Sequence, residues 1–279
     1  MPELPEVETV RRHLQQSLPD RRVAEVTLQR ADLRYPIPVA AVHALAGATF
    51  VAVRRRAKYL LCDLVAPGLP DRVLLVHLGM SGRLFIDPHA PDAWRKHEHW
   101  RLRLQPDLWL RYVDPRRFGA LDVLERLHEA EHPLLATLGP EPLDGAFTAQ
   151  HLLAACDGRQ VALKLVLMDQ KHVVGIGNIY ASEALFRAHL HPLRPAQTLK
   201  LREAKALVAA SQAVLHEAIA AGGSTLRDFV GGDEAPGYFQ QRLDVYGRDG
   251  APCNRCGTAI SHCVLGNRAT YFCAVCQKR

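Results

Sequence analysis

The sequence predicts a multi-domain α+β protein: a β-rich domain with a leading helix, then a helical domain, then a zinc-binding β-hairpin. Three observations predict it. About eight short β-like runs fill the first half of the 279 residues, helical periodicity dominates the second half, and two Cys-x2-Cys pairs lie near the end. A chain of this length can bury the cores of two medium domains.

The first half is predicted to begin with a helix over residues 3–18, because apolar side chains recur on one helical face. The β-like runs that follow are separated by turn signals, and their number and spacing favour a sandwich or a barrel. They occupy residues 23–28, 49–53, 59–64, 73–78, 83–87, 100–104, 108–113 and 120–124.

The composition changes at residues 134–147, which are predicted to form a linker because Gly139, Pro140 and Pro142 interrupt any helix or central strand there. The chain then becomes helical, with helices predicted over residues 148–156, 160–168, 178–188 and 198–221. A glycine-rich loop follows at 222–238. These boundaries divide the chain into domains 1–133, 148–246 and 247–279.

The formal net charge is +6, and 28 of the 35 basic residues are arginine. This excess is compatible with a nucleic acid partner without requiring one. No run approaches the roughly 18 apolar residues of a membrane span. The N-terminus lacks the basic and then apolar run of a signal peptide. We therefore expect a cytoplasmic protein with no membrane partner.

Two closely spaced cysteine pairs near the end of the chain predict a zinc site. Four thiolates close a tetrahedral site and leave no position for water, so the sequence predicts one structural Zn²⁺ per chain. The ligands are Cys253, Cys256, Cys273 and Cys276. Cys263 lies between the pairs and is expected to be a bystander. Arg268 is expected at the tip of the hairpin, where either a phosphate contact or simple solvation fits an arginine.

Pro2 gives the acidic start of the leading helix a second, chemical interpretation. Removal of Met1, which is usual before a small residue such as proline, would leave a free secondary amine. An α-amino group has a pKa of about 8, so a substantial fraction is uncharged at neutral pH. Such an amine can attack an aldehyde-level sugar carbon and form an iminium ion, with Glu3 as an adjacent acid.

Motifs along the whole chain resemble those of one family. They lie at residues 2–9, 55–60, 77–82, 114–119, 138–143, 177–183 and 236–239, and the zinc hairpin follows them. In this order they make the chain similar to the bacterial formamidopyrimidine-DNA glycosylases, which repair 8-oxoguanine. The related endonuclease VIII branch typically has glycine where this chain has Leu4, so Leu4 favours the formamidopyrimidine branch.

The resemblance implies a bifunctional glycosylase and abasic-site lyase that excises oxidised purines from duplex DNA. Pro2 would attack C1′ of the damaged nucleotide and displace the base, and Glu3 would protonate the sugar ring oxygen to open the Schiff base. Elimination at the β and then the δ position would cut the strand. Lys58 would transfer protons and contact a phosphate near the lesion, although a solvated lysine at a strand end also fits its position. Arg268 matches an arginine linked to δ-elimination, although phosphate clamping suits a side chain that rarely loses its proton.

The resemblance also implies a β-sandwich catalytic domain, a helix-two-turn-helix element and many DNA contacts. A base inside a duplex must be flipped out before it can react. Met80, Arg116 and Phe118 would fill the gap, although core packing for Met80 and Phe118 and solvation for Arg116 also fit their patterns. Further expected DNA contacts are His77, His97, Arg159, Lys164 and Asn178. Loop 222–238 would close over the extruded base through Ser224, Thr225, Arg227 and Tyr238.

Three other functions remain alternatives. One is a non-catalytic DNA-binding protein on the same fold, and another is a sister glycosylase that prefers oxidised pyrimidines. The third is a zinc-ribbon module joined to an unrelated enzyme domain. The combination of Pro2, Glu3 and Lys58 favours the enzyme. We expect a monomer that works beside the bacterial nucleoid on double-stranded DNA with oxidised purines or abasic sites.

Overall fold

The computed structural model describes residues 2–91, 93–224 and 242–278. The described residues divide into two compact units. The first contains residues 2–91, 93–136 and 222–224, and the second contains residues 137–221 and 242–278.

Two four-stranded antiparallel sheets build the first unit. Their strand orders are β1-β6-β7-β5 and β2-β3-β4-β8. The eight predicted strands are all present. Their bounds are Val23–Leu28 (β1), Thr49–Arg56 (β2), Tyr59–Val65 (β3), Arg72–His77 (β4), Arg83–Asp87 (β5), Glu98–Leu104 (β6), Leu108–Val113 (β7) and Ala120–Glu125 (β8).

Alternate residues of both sheets meet in one apolar core, which confirms the sandwich. Leu60 and Leu64 of β3 share this core with Trp100 and Leu102 of β6. The period of two follows from the pleat, which sends successive side chains to opposite faces. Each fully buried leucine contributes about 1.5–3 kcal/mol of transfer free energy.

Helix α1 (Leu4–Ser17) packs against β2 and adds Val7, Val10 and Leu14 to the same core. Its bounds agree with the predicted helix to one residue at each end. A short helix, α2 (Val39–His43), was not predicted, because five residues are too few to show helical periodicity.

Strand β2 is longer than predicted, since its last residues are arginines that resemble a solvated loop. The guanidinium of Arg54 instead pairs with Asp63 and Glu129, and Arg55 pairs with Glu8. These ion pairs let the basic residues stay in the sheet.

Helices dominate the second unit, and a β-hairpin completes it. The helices are α3 (Ala149–Cys156), α4 (Leu163–Met168), α5 (Asn178–Arg187) and α6 (Leu201–Ala220); the hairpin strands are β9 (Ser261–Leu265) and β10 (Arg268–Phe272). Helix α4 begins later than predicted because Ala162 is extended and bridges Pro195. Among the described residues, no helix is long and apolar enough to cross a membrane.

Candidate active site, nucleic-acid interface and zinc site

Pro2 and Glu3 lie at the N-terminal end of α1, and both are buried. Glu3 is the N-cap residue, and its carboxylate accepts the backbone N–H of Glu6. In the opposite direction, the backbone N–H of Glu3 donates to Oε2 of Glu6 at 2.8 Å. This reciprocal capping box satisfies two helix-end donors and fixes the backbone that carries Pro2.

Glu6 had no predicted role, yet it connects α1 to the start of the predicted lesion loop. The backbone N–H and the hydroxyl of Ser224 both donate to Glu6 Oε1, at 2.8 and 2.9 Å. Gly223 lies so close that an added Cβ would stand 3.2 Å from Glu6 Cγ. The available sequence signal was the three-residue spacing of Glu3 and Glu6. The other predicted loop contacts, Thr225, Arg227 and Tyr238, lie outside the described residues.

Lys58 lies in the two-residue turn between β2 and β3, where Arg56 pairs with Tyr59. Its side chain is held inward and is only 7% exposed. Burial lowers the pKa of His77 to about 4, and the positive charges of Lys58 and Arg34 contribute to the same shift. His77 is therefore neutral at physiological pH and lies within electrostatic range of Lys58.

The neutral imidazole of His77 predicts a stability that depends on pH. Nδ1 of His77 accepts the backbone N–H of Gly79 at 3.1 Å, which requires an unprotonated Nδ1. The folded pKa of about 4 lies below the ordinary 6.5, so the unfolded chain binds a proton first as the pH falls. We expect this group to cost about 2–3 kcal/mol of the free energy of unfolding between about pH 6.5 and pH 4.

Urea unfolding over that pH range measures the effect. His77→Asn keeps an acceptor for Gly79 but does not titrate, so its stability should fall less steeply with acid. If the free energy of unfolding fell equally steeply with pH in both proteins, His77 would not be the group that causes the loss of stability.

Met80, Arg116 and Phe118 project from two neighbouring loops of the sandwich unit, residues 78–82 and 114–119. Phe118 is 43% exposed and Met80 is partly exposed, so neither is a core residue. The guanidinium carbon of Arg116 lies 4.9 Å from the centroid of the Phe118 ring, a cation–π contact. The three side chains thus form an accessible group with one aromatic, one cationic and one flexible apolar member.

His97 and Arg159 are both exposed, which suits contact with an anion. His97 has a left-handed φ of 65°, and its carbonyl oxygen accepts the backbone N–H of Asp114. Arg159 follows α3, and its carbonyl oxygen accepts the backbone N–H of Gln197. These backbone bonds fix where each side chain starts.

Lys164 joins the start of α5 to the hairpin of the second unit. Its Nζ donates to Asn178 Oδ1 at 2.7 Å and to Thr270 Oγ1 at 2.8 Å, and the residue is 1% exposed. Nδ2 of Asn178 donates to the carbonyl oxygen of Ala269 at 2.9 Å. Arg268 is exposed beside the hairpin turn. Thr270 is the link that the sequence could not reveal, because 106 residues separate it from Lys164.

Glu183 is a second buried positioning residue of this unit that was not predicted. Its carboxylate accepts the backbone N–H groups of Asp244, Val245 and Tyr246 at 2.9–3.0 Å. Burial raises the pKa of Glu183, and these three hydrogen bonds oppose that shift. The contacts attach the segment that leads into the zinc hairpin to α5.

The four predicted zinc ligands come together. The sulfur atoms of Cys253, Cys256, Cys273 and Cys276 all lie within 4.8 Å of one another. A tetrahedral Zn²⁺ with Zn–S bonds of about 2.3 Å needs sulfurs about 3.8 Å apart. Two of the pairs lie at 3.5 and 3.9 Å. The residues therefore fit one structural zinc ion, and Cys263 lies outside the cluster on β9.

A β-sandwich led by a buried Pro2-Glu3 pair, a helical unit and a four-cysteine hairpin match, in this order, the three domain models of one class of DNA glycosylases. Family models agree along the chain. The formamidopyrimidine-DNA glycosylase N-terminal domain matches residues 1–121, and the formamidopyrimidine-DNA glycosylase H2TH domain matches residues 138–230. The zinc finger found in FPG and IleRS matches residues 250–279.

Full-length relatives agree with these models. The chain is 50% identical over 278 residues to the formamidopyrimidine-DNA glycosylases of Stenotrophomonas maltophilia strain R551-3 and Xanthomonas axonopodis pv. citri, and each alignment covers 100% of both chains. The crystal structure of Thermus thermophilus MutM (Fpg) matches with a TM-score of 0.87 and 41% identity, covering 99% of this chain and 98% of that one. A Lactococcus lactis Fpg complex with abasic-site DNA matches with a TM-score of 0.90 and 31% identity, covering 99% and 100%. The chain belongs to the formamidopyrimidine-DNA glycosylase family.

Proposed function

We propose that this DNA glycosylase excises oxidised purines, such as 8-oxoguanine and formamidopyrimidines, through a Schiff base on Pro2. After loss of Met1, the Pro2 nitrogen forms a bond to C1′ as the bond from C1′ to the base breaks, and the base leaves with a proton. Glu3 protonates the ring oxygen, which opens the sugar and leaves an iminium ion. That ion withdraws electrons from C2′, so loss of a proton there expels the 3′ phosphate, and a second elimination expels the 5′ phosphate.

One observation carries the proposal: the chain belongs to a glycosylase family and holds Pro2 and Glu3 together at the capped start of α1. The capping box keeps the acid next to the nucleophile at a fixed distance along the backbone, which lowers the entropy cost of the reaction. The buried Lys58 supplies a proton carrier in the same unit. A protein that only binds lesions would not need these three groups together.

Double-stranded DNA with oxidised purines or abasic sites is the proposed partner, and the protein acts on it as a monomer. The sandwich domain, residues 1–133, would carry the chemistry, and residues 148–246 and 247–279 would grip the backbone. Exposed Arg159 and Arg268 suit phosphate contacts, whose number sets the salt dependence of binding. Because the proposed substrate is chromosomal DNA, we place the protein with the nucleoid in the bacterial cytoplasm.

Borohydride trapping tests the function. The protein is mixed with duplex DNA containing 8-oxoguanine opposite cytosine, and sodium borohydride reduces any iminium to a stable amine. We expect a covalent complex whose modified residue is Pro2, identified by peptide mass spectrometry. Excision without a trapped species would overturn the Pro2 mechanism, whereas binding without excision would favour the non-catalytic alternative.

The same assay on oxidised pyrimidines separates the two glycosylase branches. We expect faster single-turnover excision of 8-oxoguanine than of 5-hydroxycytosine from otherwise identical duplexes. The reverse order would favour the sister glycosylase that prefers oxidised pyrimidines.

A further inference from the structure

A buried carboxylate joins the two loops that carry Met80, Arg116 and Phe118. Asp114 follows β7 and is 0% exposed. Its Oδ1 accepts the Ser81 hydroxyl at 2.6 Å and the backbone N–H of Arg116 at 3.3 Å. Its Oδ2 accepts the backbone N–H of Gly119 at 2.9 Å and the Tyr112 hydroxyl at 3.2 Å.

The four donors to Asp114 are uncharged, so the carboxylate is stabilised by directed hydrogen bonds rather than by an ion pair. Burying a carboxylate in this way is costly unless its oxygens are satisfied. The bonds reach residues on both loops, since Ser81 is next to Met80 and Gly119 is next to Phe118. A purely apolar contact could hold the loops together, but it would not fix their register as these bonds do.

The two loops also touch through their backbones. A Cβ at Gly79 would lie 2.4 Å from the carbonyl carbon of Phe118, and a Cβ at Gly119 would lie 1.8 Å from the Tyr112 hydroxyl. Real Cβ atoms do not come this close to other atoms, so only glycine fits at either position. Loops 78–82 and 114–119 are therefore packed as one body, with Asp114 inside it.

The same residue reaches the turn that carries His97 and the strand β6 that follows it. The backbone N–H of Asp114 donates to the carbonyl oxygen of His97 at 2.9 Å, and the Asp114 carbonyl oxygen lies 2.8 Å from His99 Nε2. Asp114 thus contacts every segment of the sandwich unit that carries Met80, His97, Arg116 or Phe118, while its own side chain is fully buried.

We propose that Asp114, acting through Ser81 and the Gly119 backbone, is a positioning residue that makes the two loops a preorganised wedge for opening the duplex. The proposal rests on the function above, in which Met80, Arg116 and Phe118 fill the gap left by the flipped nucleotide. Insertion into stacked bases costs free energy. A loop that was not already ordered would lose conformational entropy at the same step. The buried hydrogen bonds hold the order in advance, so the wedge inserts without that second cost.

Comparing rates on two substrates distinguishes a variant with a defective wedge from one with a damaged catalytic centre. Duplex DNA with 8-oxoguanine opposite cytosine requires the wedge, but an abasic site in a single strand leaves no duplex to open. In single-turnover assays we expect Ser81→Ala and Asp114→Asn to slow duplex excision by about 10-fold to 100-fold, the size of effect that misplacing a group by an ångström produces. Cleavage of the single-stranded abasic site should stay within about twofold of wild type.

A fluorescent base gives a second readout. With 2-aminopurine beside the lesion, the fluorescence rise that reports unstacking should slow in both variants by the same factor as excision. Ser211→Ala and Asp63→Asn are matched controls, since Ser211 is a buried serine bonded within α6 and Asp63 is a buried carboxylate paired with Arg54. Both controls should retain wild-type rates on the two substrates.

The outcomes are distinct. Two results would overturn the wedge proposal: equal losses of rate on the duplex and single-stranded substrates, or duplex rates in the variants no lower than those of the controls. In either case, excision by the wild-type protein would still support the glycosylase function. A wild-type protein that neither excises nor forms a trapped complex would instead overturn the proposed function. If Asp114→Asn does not fold, Ser81→Ala, which keeps the carboxylate and loses one donor, decides the matter.

Discussion

Replacement of Pro2 by glycine should slow base release and strand cleavage together, each by about 100-fold or more. Attack by the Pro2 amine on C1′ displaces the base and then yields the iminium ion that strand cleavage requires, so a poorer nucleophile delays both steps. Glycine still leaves a free amine after loss of Met1, but that amine is primary and its backbone lacks the ring that fixes its direction. Single-turnover gels that separate released base from cut strand, together with borohydride trapping, measure the two losses.

Pro5→Ala is the matched control, because it removes a proline from the first turn of the same helix without touching the amine. Its rates should stay close to wild type. A chain extended by a few residues ahead of Met1 provides the stricter test, since it keeps the Pro2 nitrogen in a peptide bond. That protein should bind lesion DNA and form no trapped complex, and trapping at an undiminished level would show that another residue is the nucleophile.

Much of the fold could be predicted because its signals are local. The strands of the sandwich show a period of two, and the four zinc ligands lie in two short motifs that need only a hairpin to meet. The end of β2 could not be predicted in the same way. Arg54 stays in the strand because it pairs with Asp63 and also with Glu129, which is 75 residues away.

The candidate site also combines residues with local sequence signals and residues whose partners are distant in the sequence. Pro2 and Glu3 could be proposed from their chemistry and from the motif that contains them. Asp114 and Ser81 lie in recognised motifs too, but the bond between them spans 33 residues and has no local pattern. Thr270 and Glu183 were missed for the same reason, since their partners are distant in sequence. The candidate reactive residues could be named from the sequence, whereas these buried residues with distant partners required the structure.

Removal of the zinc should have the other large effect, because the metal is part of a small core. Cys253 and Cys273 are buried with Phe186, Val245 and Ile260. Few apolar residues support this region, and small metal-binding units gain about 10–16 kcal/mol from Zn²⁺ when they fold around it. We expect Cys256→Ser, or prolonged chelation, to release the zinc and lower affinity for lesion duplex by about 100-fold, because the hairpin would no longer hold Arg268 against a phosphate.

Cys263→Ser is the control that the chain itself provides. Cys263 lies on β9 of the same hairpin and is not part of the ligand cluster, so its loss should change neither the zinc content nor the DNA affinity. Metal analysis of the purified proteins and equilibrium binding at two salt concentrations make the comparison. The zinc-free protein should also show a shallower salt dependence, because fewer phosphates are neutralised. If it bound lesion duplex as tightly as wild type and with the same salt slope, the metal would not be what holds Arg268 at the DNA.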